Sequence, residues 1–290
     1  MIYKKILIIG SDGQLGYDLV RVFGDEAIGL THKDIEITDA SMVFSVLSKL
    51  KPDVVINTAA IVKSEWCETN SDACFKVNAY GAQNVAKASA AIGAVSIFIS
   101  SDYVFDGHKQ SFSENDITSP LNVYGASKLE GEQLTKKSND RHYIIRTGWL
   151  FGVQVSHKGY DFPRLMLKAA REKGQVSVVN DQFGSPTYTY DLSLKIKQLI
   201  DVNAPYGIFH ITNQGVCSWY YFAKEVFSLF GVHTNLVPIH TEESGSKIRR
   251  PVFSVLENRR LKDLNIELLR EWKDALADYT VKVRESDKML

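Results

Sequence analysis

Apolar residues in the first 150 positions fall into short dense runs separated by longer stretches of mixed polarity. The runs at residues 5–9, Ala27–Leu30, Val54–Asn57, 95–100 and 143–147 are rich in aliphatic and β-branched side chains and alternate little between apolar and polar. Strands of that kind are buried on both faces, as in a parallel sheet with helices on either side. The stretches between them, near Gln14–Phe23, Ala40–Leu50, 71–92 and 122–137, carry the spacing of helices. Regular alternation of strand and helix predicts right-handed βαβ units. The fold class expected is α/β, a Rossmann-type doubly wound parallel sheet.

Beyond residue 150 the rhythm becomes irregular. Residues 152–161 read as a loop, 162–173 as a helix, 176–179 as a strand, 188–200 as a helix, 208–212 as a strand, Trp219–Phe230 as a helix and 268–283 as a tail helix. No repeat or low-complexity segment is visible. The pattern predicts a dinucleotide-binding domain over residues 1–150, rejoined by later segments near 176–202, and a smaller α/β substrate-binding lobe over 151–290.

The chain of 290 residues is long enough for one large α/β core with a smaller lobe. Its 34 Lys and Arg balance 34 Asp and Glu, which offers no broad attraction to nucleic acid or an anionic membrane. Met1-Ile2-Tyr3-Lys4-Lys5 opens directly into the first strand, and the apolar run after it stops at Gly10, short of a signal sequence. No apolar run approaches the ~20 residues that span a bilayer. A soluble cytoplasmic protein, monomeric or homodimeric, is expected. Cys67, Cys74 and Cys217 form no C-x-x-C pair. They read as three reduced thiols, not as a disulfide framework, and no metal site is expected.

The first strand ends in Gly10-Ser11-Asp12-Gly13-Gln14-Leu15-Gly16. Gly10 allows a tight turn, Gly13 leaves room for a pyrophosphate beside the backbone, and Gly16 lets the following helix pack closely. The helix N-terminus then offers unpaired amides and its positive dipole end to the phosphates. The spacing is G-x-x-G-x-x-G, a variant of the commoner G-x-G-x-x-G. After the second strand come Thr31, His32 and Lys33. An acid at Thr31's position would repel a 2′-phosphate, whereas His32 and Lys33 can attract one. NADPH is therefore the expected cofactor, with NADH also accepted.

Tyr124 and Lys128 are four residues apart at the start of a predicted helix, so they share one face. A phenol ionises near pH ~10, and a nearby ammonium is expected to lower that value. Tyr124 then serves as a general acid, and Lys128 tunes it and reaches the cofactor ribose. Ser101 follows the fourth strand, at the sheet edge where ligands bind. Its hydroxyl can hold a substrate carbonyl beside the phenol, or simply cap a turn. Trp149, Tyr188, Tyr190 and His210 also read as ordinary core residues.

Taken in order, these motifs resemble the extended short-chain dehydrogenase/reductase superfamily. More narrowly they resemble the dTDP-4-dehydrorhamnose reductase family. The likeness is carried by GSDGQLG at residues 10–16, NTAA at 57–60, SDYVFDG at 101–107, PLNVYGASKLEG at 120–131, RTGWLFG at 146–152, VNDQFGSPT at 179–187 and RRPVFSVL at 249–256. It implies a catalytic set of Ser101, Tyr124 and Lys128. It implies a cofactor set of Gly10, Asp12, Gly13, Gln14, Leu15, Gly16, His32, Glu36, Ile37, Ala59 and Ala60, together with Tyr124 and Lys128. Tyr103, Trp149 and Arg250 are implied to face a sugar-nucleotide substrate. The implied reaction is reduction of the C4 ketone of a nucleoside-diphosphate 4-keto-6-deoxy sugar. Glu36 stands where the family commonly has Asp, and IVKSEWCE at 61–68 departs from the family's usual stretch. Two other readings stay open: reduction of a different sugar nucleotide, and a non-catalytic regulatory subunit similar to the β subunit of methionine adenosyltransferase.

Overall fold

Ile6, Leu7, Ile8 and Ile9 are all nearly inaccessible to solvent, so both faces of the first strand are covered. In the computed structural model, which describes residues 5–155 and 161–286, the covering layers are helices. The expected opening run at residues 1–4 and residues 156–160 of the expected loop lie outside the described residues.

In chain order the first half contains β1 (Ile6–Ile9), α1 (Gln14–Phe23), β2 (Ala27–Leu30), α2 (Ala40–Leu50), β3 (Val54–Asn57), α3 (Ser64–Thr69), α4 (Ser71–Phe75), α5 (Ala82–Ala91), β4 (Val95–Ser101), α6 (Val123–Ser138) and β5 (His142–Thr147). The second half adds β6 (Leu150–Phe151), α7 (Phe162–Glu172), β7 (Gln175–Val179), β8 (Phe183–Gly184), β9 (Thr187–Tyr188), α8 (Thr189–Asp201), β10 (Gly207–His210), β11 (Cys217–Ser218), α9 (Trp219–Phe230), β12 (Asn235–Ile239), α10 (Arg259–Asp263) and α11 (Trp272–Ser286).

Six strands form one sheet in the order β10-β5-β4-β3-β1-β2, every pair parallel. The chain moves outward from β1 to β2, then crosses back to β3 on the other side of β1. The crevice at the carboxyl end of β1 is therefore a topological switch point, where open α/β sheets bind ligands. Alternate residues divide the two faces. Ile6 and Ile8 pack with Leu15 and Leu19 of α1 and with Leu192 and Ile196 of α8. Leu7 and Ile9 pack with Val43 and Leu47 of α2 and with Val85 of α5. The doubly wound fold is thus as the hydrophobic runs imply.

Three features add to the sequence reading or depart from it. Residues 71–91 are helical throughout, as expected, but α4 and α5 are joined by a π segment over Lys76–Gly81 that a regular helix lacks. Such turns redirect a side chain that a regular helix would leave on another face, and here Asn78 of that turn is almost wholly buried. The stretch 61–68, singled out above only for departing from the family's pattern, holds most of the short helix α3. The strand at 176–179 pairs in parallel with β12 and not with the main sheet, while α8 lies against α1 and β10 extends the sheet.

A second core lies beyond the sheet. Phe151, Met166, Leu167, Val176, Val178, Tyr188, Phe222, Val226, Trp272 and Tyr279 form it, and Tyr188 and Tyr279 are among the largest fully buried side chains. His210 is buried with Nδ1 3.1 Å from the Phe112 carbonyl oxygen, a satisfied core histidine. Among the described residues no helix is long and apolar enough to cross a membrane.

Candidate active site

The glycine loop leaves β1 at the switch point. Gly10 has φ +82°, a conformation that favours glycine, and its amide and that of Ser11 donate to the Leu30 carbonyl at 2.8 and 3.0 Å. This ties the loop to the end of β2. A Cβ on Gly16 would lie 2.1 Å from the Gly10 carbonyl oxygen, so α1 reaches its position only with glycine there. Gly13, which precedes the first residue of α1, has no side-chain cap. A Cβ on it would meet only the Gly10 carbonyl oxygen, at 3.1 Å. Its other side is open to a phosphate approaching the helix amides.

Buried polar atoms at this edge without a hydrogen-bond partner include Gln14 Nε2 in α1, Asn57 Nδ2 at the end of β3 and Thr147 Oγ1 at the end of β5. Buried polar groups are normally satisfied, so orphans beside an open glycine turn fit a polar ligand such as a dinucleotide. Around β2 the expected cofactor residues are differently disposed. His32 is exposed, with Nδ1 3.6 Å from Glu36 Oε2. Glu36 accepts from the Thr38 amide at 2.8 Å, which holds its carboxyl below the usual range. Ile37 sends its side chain into the core with Ile35 and Val85, and its carbonyl accepts from Asn84 Nδ2 at 2.9 Å. Thr31 is not an acid, but Asp34 folds back so that its carboxylate accepts from both the amide and the hydroxyl of Thr31 at 2.8 Å. A carboxylate therefore does stand at the end of β2. Ala59 and Ala60 follow β3, half-buried, and the Ala59 amide donates to Asn57 Oδ1 at 3.1 Å.

Ser101 and Tyr124 meet at the carboxyl end of β4, with Lys128 one turn further along α6. Ser101 ends β4; its hydroxyl donates to Asp102 Oδ1 at 2.9 Å and accepts from the Tyr103 amide at 3.2 Å. Asn122 caps α6 by accepting from the Gly125 amide at 2.8 Å and donates from Nδ2 to the Arg249 carbonyl at 3.0 Å. A Cβ on Gly125 would lie 2.1 Å from the Tyr103 carbonyl oxygen. That close approach seats the first turn of α6 on the segment after β4. Tyr124 consequently meets Ser101 and packs edge-on to Tyr103, with ring centroids 5.9 Å apart. Lys128, one turn further on, is 3% exposed, with Nζ 4.2 Å from the centroid of the Phe98 ring.

The electrostatics correct one expectation. Burial pushes the Tyr124 phenol up from its ordinary value; the Ser101 hydroxyl pulls the other way, and Asp102 adds to the rise. The net lowering expected from Lys128 does not appear. Burial instead brings Lys128 down to about 8, partly offset by Glu132 and Cys74. Asp102, fully buried, is raised to about 6 by desolvation against the pull of Ser254 and Ser101. Tyr103 is pushed up to about 12 by burial. A phenol this reluctant to ionise holds its proton at neutral pH, which suits a donor.

Trp149 follows β5 with φ +52°, a costly angle for a bulky residue. Its indole stacks on Trp219 at 3.4 Å and donates from Nε1 to Ser254 Oγ at 3.0 Å. It therefore belongs to the wall between the sheet edge and the second core. Arg250 pairs with Glu65 of α3 and hydrogen-bonds Tyr103, so it reaches the residues beside Tyr124.

Sequence reasoning missed Asn78 and Ser127. Asn78 exchanges hydrogen bonds with the Ile61 backbone at 2.8 and 3.0 Å and donates to Ser127 Oγ at 3.0 Å. Ser127, between Tyr124 and Lys128, donates to the Tyr124 carbonyl at 2.7 Å. An Asn in an otherwise ordinary helical pattern gives no sign of this, because the π turn that aims it inward has no signature in spacing. The missed pair Glu132–Arg146 is also buried, 2.7 Å apart, and Ser100 donates to Glu132. It clamps α6 to β4 and β5.

The chain is similar to known proteins over nearly its whole length. A family model described as the RmlD substrate binding domain matches residues 4–285. The spore coat polysaccharide biosynthesis protein SpsK of Bacillus subtilis is 40% identical over 279 residues, which covers 95% of this chain and 96% of the relative. A dTDP-4-dehydrorhamnose reductase of Clostridium acetobutylicum has a similar solved structure, with TM-score 0.92, 39% identity and coverage of 97% of this chain and 99% of that one. The structure of a dTDP-4-dehydrorhamnose reductase of Bacillus anthracis in complex with NADP also gives TM-score 0.92, at 35% identity, covering 97% of this chain and 100% of that one.

Proposed function

This chain belongs to the RmlD substrate binding domain family, and we propose that it is an NADPH-dependent reductase that converts the C4 ketone of dTDP-4-dehydro-L-rhamnose to the alcohol of dTDP-L-rhamnose. The observation that carries the reading is the meeting of Tyr124 with Ser101 at the carboxyl edge of the sheet, beside the glycine loop. Relatives at 39% and 35% identity bear the reductase name, and one was solved with NADP.

In this reading Gly10, Asp12, Gly13, Gln14, Leu15 and Gly16 hold the pyrophosphate, with Glu36, Ile37, Ala59 and Ala60 lining the rest of the groove. When bound, the reduced nicotinamide supplies the hydride. Ser101 donates a hydrogen bond to the substrate's C4 carbonyl oxygen. Tyr124 gives that oxygen its proton, and Lys128 supplies positive charge behind the phenol. Tyr103, Trp149 and Arg250 hold the sugar nucleotide, Arg250 by exchanging Glu65 for the diphosphate. Residues 1–150, together with α8 and β10, serve the cofactor, and the remainder of 151–290 serves the substrate. The protein works in the cytoplasm as a monomer or homodimer.

SpsK is named for a polysaccharide and not for a sugar, which keeps reduction of another 4-keto sugar nucleotide as the second reading. The test is loss of NADPH absorbance with dTDP-4-keto-L-rhamnose and with other 4-keto sugar nucleotides in parallel. Turnover of the first supports the proposal, turnover of only another supports the second reading, and no turnover with any overturns both.

A further inference from the structure

Behind the Tyr124–Lys128 turn lies a pair of thiols that the proposed reaction does not use. Cys74 Sγ is 2.8 Å from Cys67 Sγ, and neither residue is exposed. The two belong to α4 and α3, short helices separated by Asn70. Cys74 Sγ also donates to Ser127 Oγ at 3.3 Å and accepts from Asn78 Nδ2 at 3.4 Å. The pair is therefore bonded directly into the turn that carries the two catalytic candidates. The hydrogen bond between Cys74 and Cys67, helped by Ser127, Lys128 and Asn78, lowers the Cys74 thiol to about 7 against the opposing effect of burial. That lowering favours the thiolate, the form that reacts with electrophiles. Cys217 contrasts with it: burial in the second core pushes its thiol up.

We propose that Cys67 and Cys74 form a dithiol site that a hydroperoxide converts reversibly to a disulfide, and that this conversion slows turnover. The Cys74 thiolate attacks one oxygen of hydrogen peroxide. The O–O bond breaks, hydroxide leaves and takes a proton to become water, and Cys74 becomes a sulfenic acid. Cys67 Sγ then attacks Cys74 Sγ, and the sulfenic hydroxyl leaves as a second water with the Cys67 proton. Two thiols are oxidised by two electrons and one peroxide is reduced. The site selects a small oxidant, because both sulfurs are covered and a bulky disulfide such as glutathione's has no room beside them. Glu65, Trp66, Glu68, Thr69, Asp72 and Ala73 around them are exposed, so peroxide has only the thickness of two short helices to cross. Once oxidised, Cys74 has neither the thiol proton nor the thiolate charge through which it meets Ser127 and Asn78, which loosens the hold on the turn bearing Tyr124 and Lys128.

Trypsin cuts after Lys63 and Lys76, which places both cysteines in one peptide, 64–76. The full-length protein is treated with hydrogen peroxide, alkylated without reduction and digested. Peptide 64–76 is expected to become lighter by two hydrogens and resist alkylation, with dithiothreitol reversing the change, while Cys217 stays alkylatable. Preferential oxidation of Cys217, or passage of Cys74 to sulfinic acid with no cross-link, overturns the site. In Cys67→Ser, Cys74 is expected to stop at the sulfenic acid and be trapped by dimedone. Full cross-linking with unchanged turnover overturns the effect on catalysis. That half rests on the proposed reduction, whereas the mass change is read without any substrate, so the two failures are distinguishable.

Discussion

The ammonium of Lys128 lies 4.2 Å from the centroid of the Phe98 ring, against β4 and beneath the turn that carries Tyr124. An aromatic face stabilises a desolvated cation, yet burial still lowers Lys128 from 10.5 to about 8. The ammonium is complete below that value and lost above it. We expect kcat/KM to be level near neutrality and to fall as pH rises through about 8. Stability moves the other way. Between about 8 and 10.5 the unfolded chain binds more proton at this site than the folded chain, so the Lys128 contribution to unfolding free energy rises with pH. Asp102 has the opposite sign: raised from 3.8 to about 6, it makes stability fall as pH rises across that interval. A pH–rate profile together with urea midpoints over the same range checks both. An activity limb and a stability change of the same sign near pH 8 would remove Lys128 as their source.

Tyr124→Phe removes one hydroxyl from a ring whose packing on Tyr103 stays available. We expect turnover to fall by roughly 10²–10⁴, the usual contribution of a positioned acid, with the melting temperature and NADPH affinity nearly unchanged. Single-turnover kinetics and cofactor fluorescence separate these. A variant retaining near wild-type turnover would move the proton donor elsewhere, with Asp102 the nearest alternative.

The main sheet was readable because its signals are local. Ile6–Ile9 and Val54–Asn57 are uninterrupted apolar runs, and such runs have few other places to go than a buried parallel sheet. The Ser101, Tyr124 and Lys128 candidates could be found because two share a helix face and the third ends a strand. What escaped depends on tertiary contact. The π turn at Asn78 is held by Ile61, seventeen residues earlier. The strand at 176–179 found its partner in β12, roughly sixty residues on, rather than in the main sheet. The expected lowering of Tyr124 failed for the same reason: i,i+4 spacing puts Lys128 on the right face but says nothing of the burial that raises the phenol.

Gly13 and Gly16 separate binding from folding. A methyl at Gly16 would fall 2.1 Å from the Gly10 carbonyl oxygen, inside any tolerable contact. Gly16→Ala is expected to lower the unfolding free energy by the ~1–3 kcal/mol usual for overpacking, read as a clear drop in the urea midpoint. At Gly13 the only neighbour is 3.1 Å away and the rest is open. Gly13→Val should therefore keep most of its stability and lose NADPH affinity in calorimetry. Equal loss of stability in both variants would make the loop a structural turn only.

Cofactor choice turns on the end of β2. Asp34 holds its carboxylate against the Thr31 amide and hydroxyl, and those bonds keep it ionised well below neutrality. Glu36, held likewise by the Thr38 amide, adds a second negative charge near His32. A 2′-phosphate there would meet two carboxylates as well as His32 and Lys33. These groups are largely exposed, so salt screens them and no single charge dictates the outcome. Wild-type protein is expected to use both cofactors with a modest preference for NADPH. Asp34→Asn removes charge while leaving an acceptor for Thr31, and should raise the ratio of kcat/KM for NADPH over NADH. Lys33→Glu should lower it, and added salt should shrink both changes. A strong NADH preference in wild type that persists in Asp34→Asn would mean that Glu36 governs the ribose end of the groove and that His32 and Lys33 do not reach it.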